Sequence, residues 1–136
     1  MYAFVYGTLK QGYGNGERLL RGRSTFITNG TLQGYKLYDS GFPVAALSNG
    51  DSVYGEVFLI DEDKETSVLR SLDGLEGYVQ EAPDISMYHR KTVTVFGDDE
   101  QTYECQTYIG NPKFWSDFKG MREIKKDDQA RYFWSR

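Results

Sequence analysis

The sequence predicts an α+β fold: a small mixed, curled β-sheet or barrel of about six or seven strands, with one main helix and a few short helices. Three observations lead there. Eleven Tyr and eight Phe favour the pleated surface of strands. Short apolar runs recur along the chain, separated by turns that draw on fifteen glycines. One segment, Glu62 to Ser71, stands apart because Val68, Leu69, Leu72 and Leu75 follow at helical spacing. A sheet of many short strands tends to curl and remove its edges, which points to a barrel. The 136 residues suit one domain with a real core. Residues 1–136 are therefore read as a single domain, with 113–136 a basic aromatic C-terminal extension.

In chain order, Met1 to Tyr6 is an apolar, aromatic first strand ended by Gly7. A loop rich in glycine follows through Gly16, and Glu17 to Arg21 has room for a short helix. Arg23 to Tyr38 reads as two strands broken by a type I′ turn at Asn29-Gly30, with a bulge at Gly34. Asp39 to Pro43 is a turn, Val44 to Leu47 a short strand closed by Ser48 to Asp51, and Ser52 to Ile60 a longer strand. Asp61 is expected to cap the main helix, with Gly74 and Gly77 stopping it. Met87 to Phe96 and Gln101 to Ile109 form a hairpin around Gly97 to Glu100. The segment after Pro112 is expected to be irregular or to form short helices.

The net charge of −4 argues against nucleic-acid binding, which needs a basic surface. The charge is uneven: from Pro112 to Arg136 seven Lys/Arg stand against four Asp/Glu. No apolar run reaches the ~20 residues of a membrane span. A lone cysteine, Cys105, and the lack of a signal-like start suggest a cytoplasmic protein. Gly7 and Gly12 have Walker A spacing, but Tyr13-Gly14 stands where Lys-Ser/Thr is needed. Gly12 and Gly14 begin like a dinucleotide loop, yet position 17 is Glu. With His89 the only histidine, neither a nitrogen/sulfur metal cluster nor a supported Ser-His-Asp triad is expected. His89 is most simply a strand residue and Cys105 a small buried hydrophobe.

Carboxylates remain. Glu76 lies among Leu72, Leu75, Gly77 and Tyr78, and such apolar company raises a carboxyl pKa towards the range of a general acid or base. On these residues alone, it is equally a carboxylate capping a backbone N–H at a helix end. Tyr6-Gly7-Thr8-Leu9 has the composition of an anion-binding nest of successive backbone N–H groups.

Together these residues resemble the γ-glutamylcyclotransferase-like family, which includes the γ-glutamylamine cyclotransferases. The opening Tyr6-Gly7-Thr8-Leu9, the turn Gly41-Phe42-Pro43 and the strand motif Gly55-Glu56-Val57 occur in the family's order. So do the block Leu72 to Tyr78 (Leu-Asp-x-x-Glu-Gly-Tyr), Tyr88-His89-Arg90 and Tyr108-Ile109. The resemblance covers residues 1 to about 112 and implies a small barrel with flanking helices. It also implies an enzyme that cyclises a γ-glutamyl amide to 5-oxoproline and releases an amine, without cofactor or metal. Glu76 takes the acid/base position and Tyr6, Gly7, Thr8 and Leu9 the carboxylate-binding loop. Gly41, Phe42, Pro43 and Tyr88 line the pocket.

Two features depart from that pattern: a short, glycine-rich loop after Leu9 and the basic aromatic segment after Pro112. The expected partner is a small γ-glutamyl substrate, on a monomer or weak dimer. The alternative is a non-catalytic binding or interaction module, with Trp115 or Trp134 as exposed anchors for a protein partner. In the opposing view, these aromatics pack over the barrel.

Overall fold

A computed structural model describes residues 1–135. Six strands occur among them: β1 (Tyr2–Val5), β2 (Ser24–Asp39), β3 (Pro43–Ile60), β4 (Tyr88–Gly97), β5 (Thr102–Gly110) and β6 (Arg122–Glu123). The helices are α1 (Gly14–Leu19) and α2 (Glu65–Glu76), with single 3₁₀ turns at Glu62–Lys64, Pro83–Ile85 and Ser116–Phe118. The strand order β3-β1-β5-β4-β2 closes through a β2–β3 pairing, and β6 adds to the free end of β2. The result is a five-stranded barrel with one extra strand, as the sequence predicts. Among these six strands, β1 and β5 pair in parallel and the other strand pairings are antiparallel.

Alternation along β1 divides its side chains between two cores. Phe4 and Tyr6 point into the barrel, where they meet Leu32, Val53, Val57 and Cys105. Ala3 and Val5 point outward and pack with Phe58, Ile60, Val68 and Leu72 beneath α2. Cys105 is fully buried, and burial pushes its thiol up to about 12, so it serves as a small core residue.

The expected turn at Asn29-Gly30 is a correction. β2 runs unbroken through it, pairing Gly30 with Gly55 on β3 and with Gly97 on β4. The barrel closes here, and a Cβ on Gly30 would lie 2.8 Å from Val95 Cγ1. The glycine is required by close strand approach, not by chain reversal. Likewise Ser48 to Asp51 does not end a strand: β3 continues past it against the same β2, with a register shift between Gln33 and Tyr35 at the expected Gly34 bulge.

The main helix also differs at both ends. Asp61 makes no side-chain capping bond, and the α-helix begins only at Glu65, after a 3₁₀ turn. Gly74 does not stop it. Gly74 lies on the exposed face, while buried Leu72 holds the same turn against the barrel. Gly77 ends the helix in the left-handed conformation, at φ 63° and ψ 37°. The Tyr78 N–H then donates to the Asp73 carbonyl at 2.9 Å, a Schellman-type closure. Glu76 is thereby the last helical residue, directed by the final turn.

The segment after Pro112 folds back onto the barrel. The Tyr132 N–H donates to the Ser52 carbonyl at 2.8 Å and its carbonyl accepts from the Tyr54 N–H at 2.9 Å. Tyr132 enters the barrel core, and Trp134 is buried, which removes Trp134 as an exposed anchor.

Candidate active site

Where α2 ends beside the barrel mouth, a cavity of about 450 Å³ opens. It is lined by the whole set of predicted residues: Glu76, the loop Tyr6 to Leu9, the turn Gly41 to Pro43, and Tyr88. Four chain segments distant in sequence therefore meet at one cavity. The loop and the turn touch so closely that a Cβ on Gly7 would sit 2.4 Å from Pro43 Cγ. Among the described residues, the N–H groups of Gly7, Thr8 and Leu9 donate to no protein acceptor. The loop is held by its carbonyls instead: Gly7 accepts from Lys10 N–H at 3.0 Å and Thr8 from Gly16 N–H at 3.1 Å. Three backbone donors are thus left for a ligand, the condition for an anion-binding nest.

Glu76 faces this loop. Burial alone pushes its carboxyl from the ordinary 4.5 up to about 7. No hydrogen bond or ion pair to a described residue holds the carboxyl, so the alternative of a backbone cap at the helix end does not describe it. Its influence reaches two phenols. Burial and then the Glu76 charge push Tyr6 well above its usual value, and burial, Tyr6 and Glu76 do the same to Tyr88. Both hydroxyls already have acceptors: Tyr6 donates to the Tyr108 carbonyl and Tyr88 to the Pro43 carbonyl, the latter at 3.0 Å. These tyrosines are neutral struts that hold the turn and β5 in place.

Sequence reasoning passed over other residues of the site. Asn15, Leu75, Met87, Thr107 and Tyr108 also line the cavity. Behind it, Arg90 Nη1 donates to both carboxylate oxygens of Asp73, at 2.9 and 2.8 Å, and the Tyr108 hydroxyl donates to the same carboxylate. Asp73 precedes Glu76 by three residues, so this cluster ties the last turn of α2 to β4 and β5. The signal was present in the motifs, since Asp73, Arg90 and Tyr108 each belong to one, without a role attached. Glu56 of the β3 motif has a similar supporting part, accepting from the Gln11 N–H at 2.8 Å.

The rim brings in the C-terminal segment. Trp115 packs edge-on against Phe42 and Tyr88, at ring separations of 6.1 and 6.3 Å, and its indole N–H donates to the Met87 carbonyl at 2.9 Å. His89 stands outside the site, with Nε2 2.8 Å from the Pro83 carbonyl. Among the described residues, no three His, Cys, Asp or Glu side chains group to hold a metal ion, and no helix is long and apolar enough to cross a membrane.

Comparison with known proteins places the chain among relatives of one family. The model of the family described as "Gamma-glutamyl cyclotransferase, AIG2-like" matches residues 3–134, and so runs through most of the C-terminal segment. A Methanocaldococcus jannaschii protein is 35% identical over 79% of this chain and 82% of its own length. One from Drosophila melanogaster is 33% identical over 78% and 67%. Both carry the name "Putative gamma-glutamylcyclotransferase". Among solved structures, an AIG2-like protein from Mus musculus superposes with a TM-score of 0.69 at 22% identity, covering 99% of this chain and 95% of its own. Protein ytfP from Escherichia coli does so at 0.64 and 21%, covering 98% and 96%. At such identities, these two structures speak for the fold. The matched length, the barrel and the motif-bearing cavity lead to one assignment: the chain belongs to the AIG2-like gamma-glutamyl cyclotransferase family.

Proposed function

We propose that the cavity cyclises a γ-glutamyl amide to 5-oxoproline and releases a free amine, with Glu76 as general base and then general acid. The observation that carries this reading is a carboxyl poised near pH 7 across one cavity from three uncommitted backbone N–H groups. The N–H groups of Gly7, Thr8 and Leu9 grip the substrate's α-carboxylate. That anchor brings the α-amine near Glu76 and lets the short chain fold back on itself. The reaction is intramolecular, so positioning supplies much of the rate.

Ionised Glu76 takes a proton from the α-ammonium. The freed nitrogen attacks the γ-carbonyl carbon, a C–N bond forms, and the carbonyl oxygen takes the negative charge. Collapse breaks the bond to the departing nitrogen, which receives its proton from Glu76. Two protons pass in all from the attacking nitrogen to the departing one: the ring nitrogen gives up its second proton as the lactam forms and the amine departs as an ammonium, so Glu76 ends as it began. A carboxyl titrating near 7 suits both directions, because neither transfer is steeply uphill at neutral pH.

The test is a panel of γ-glutamyl amides scored for 5-oxoproline, with Glu76→Gln as control. The expected result is turnover by the wild type and a loss of at least about a hundredfold in the variant, the usual worth of a general base. Full activity in a folded Glu76→Gln protein overturns the role of Glu76. Binding without turnover in the wild type favours a non-catalytic module on the same fold.

A further inference from the structure

Beside the loop lies a short chain of side chains that the proposed reaction does not by itself require. The Arg18 guanidinium donates from Nη2 to Asn15 Oδ1 at 2.8 Å. The Asn15 amide then donates from Nδ2 to Thr8 Oγ1 at 2.9 Å. Thr8 and Asn15 both line the cavity. Chemistry fixes the direction of this chain. A guanidinium can only donate, so the asparagine oxygen must face Arg18 and its nitrogen must face Thr8. The Thr8 oxygen is therefore an acceptor on that side, and its own proton is free to turn elsewhere. Among the described residues, that proton has no protein acceptor.

We propose that Arg18 and Asn15 are positioning residues that set the Thr8 hydroxyl as a fourth donor to the substrate's carboxylate, beside the N–H groups of Gly7, Thr8 and Leu9. The proposal rests on the reading of that loop as the carboxylate site. Each link in the chain passes polarity in one direction: a cation orients an amide, and the amide orients a hydroxyl. The outcome is a donor aimed into the cavity and backed by a positive charge held outside it. A hydroxyl without Asn15 could turn its proton away, to water or to a carbonyl. The ligand selected is a carboxylate, which accepts from all four donors at once, in preference to a carboxamide, whose NH₂ group would meet one of them donor to donor.

The test uses binding of 5-oxo-L-proline and of its carboxamide to the full chain, followed by calorimetry or ligand-observed NMR, with turnover measured separately. The expected wild-type preference is for the carboxylate. Thr8→Val and Asn15→Leu should each weaken carboxylate binding about tenfold, the scale of one charge-assisted hydrogen bond, and leave carboxamide binding nearly unchanged. Thr8→Ser should restore it. In the Thr8→Val background, Asn15→Leu should cost nothing further, because Asn15 acts through that hydroxyl.

Asn15→Asp gives an independent check where Asn15→Leu disturbs the fold. An aspartate can still pair with Arg18 and still bond to Thr8, so stability is kept. The Thr8 proton, however, is drawn onto the new carboxylate and away from the ligand, so carboxylate binding should fall while the melting temperature does not. Wild-type affinity in a folded Asn15→Leu or Asn15→Asp protein overturns the proposal, as do losses that multiply in the double variant. Thr8- and Asn15-dependent binding with no turnover upholds it and removes the cyclisation reading instead. A wild type that does not distinguish carboxylate from carboxamide overturns it.

Discussion

Glu76 carries a stability cost as well as a proposed chemistry, and the two have a shared cause. Burial raises its carboxyl from 4.5 to about 7, so the folded protein holds a proton there that the unfolded chain has released. Stability from this group is complete below about pH 4.5 and is lost as pH rises through about 7. The shift corresponds to about 3.4 kcal/mol at most. Glu76→Gln keeps the shape and removes the charge. At pH 8 the variant should be more stable than the wild type by up to about that amount, with the difference vanishing near pH 4.5. Paired denaturant titrations at pH 4.5, 6 and 8 measure it, and parallel curves at all three would show that the folded carboxyl is not desolvated. Kinetically, kcat/KM should fall tenfold per pH step below about 7, where the ionised base is depleted.

At the scale of elements, the question is how α2 delivers Glu76 to the cavity with so little room for error. The answer is the Asp73 cluster, in which one carboxylate accepts from Arg90 on β4 and Tyr108 on β5. Both ends of the Arg90–Asp73 pair are about four-fifths covered, at 19% and 22% exposure. Removing one partner there leaves the other charge partly desolvated without a counterpart. Asp73→Ala should therefore cost about 3 kcal/mol of stability. It should also lower kcat more than it raises KM, because Glu76 loses its aim while the N-terminal loop keeps its grip. Arg90→Lys should recover part of the stability and less of kcat, since lysine keeps the charge but its shorter side chain does not reach the point where Nη1 meets both oxygens.

The extent to which these elements were legible follows the range of the forces that build them. Helix α2 and the β4–β5 hairpin are written locally, in apolar spacing and in a turn at Gly97 to Glu100, and both are present as expected. Gly30 misled because two causes select the same residue: a type I′ turn and a strand crossing too close for a Cβ. Only the second depends on Val95, some sixty-five positions away. Glu76 and the Tyr6 to Leu9 loop were legible because their residue types are unusual where they stand. Asp73, Arg90 and Asn15 were not assigned roles, because an ordinary Asp, Arg or Asn gains one only through a partner that folding supplies.

At the scale of the whole molecule, the C-terminal segment decides whether residues 1–112 are a domain. It gives the barrel Tyr132 and Trp134, each only 4% exposed, and threads Tyr132 between the Ser52 carbonyl and the Tyr54 N–H. It also satisfies a buried cation: the Lys10 ammonium donates to the Trp134 carbonyl, lies 3.9 Å from the centre of the Phe133 ring, and has its pKa lowered by burial. Lys10 follows Leu9 directly, so the segment braces the Tyr6 to Leu9 loop from behind while Trp115 braces Phe42 and Tyr88 from the rim. Losing two buried aromatics costs about 3–5 kcal/mol each when truncated within a core. The sum reaches the total stability of an ordinary domain, about 5–15 kcal/mol. A chain ending at residue 112 should therefore fail to fold cooperatively, seen as the loss of a sigmoidal melting transition by circular dichroism. The single change Tyr132→Ala should lower stability by about 3–5 kcal/mol and leave a folded but weakened protein. A cooperative, active 1–112 fragment would show the opposite: a barrel closed without its plug, with the C-terminal segment free to bind something else.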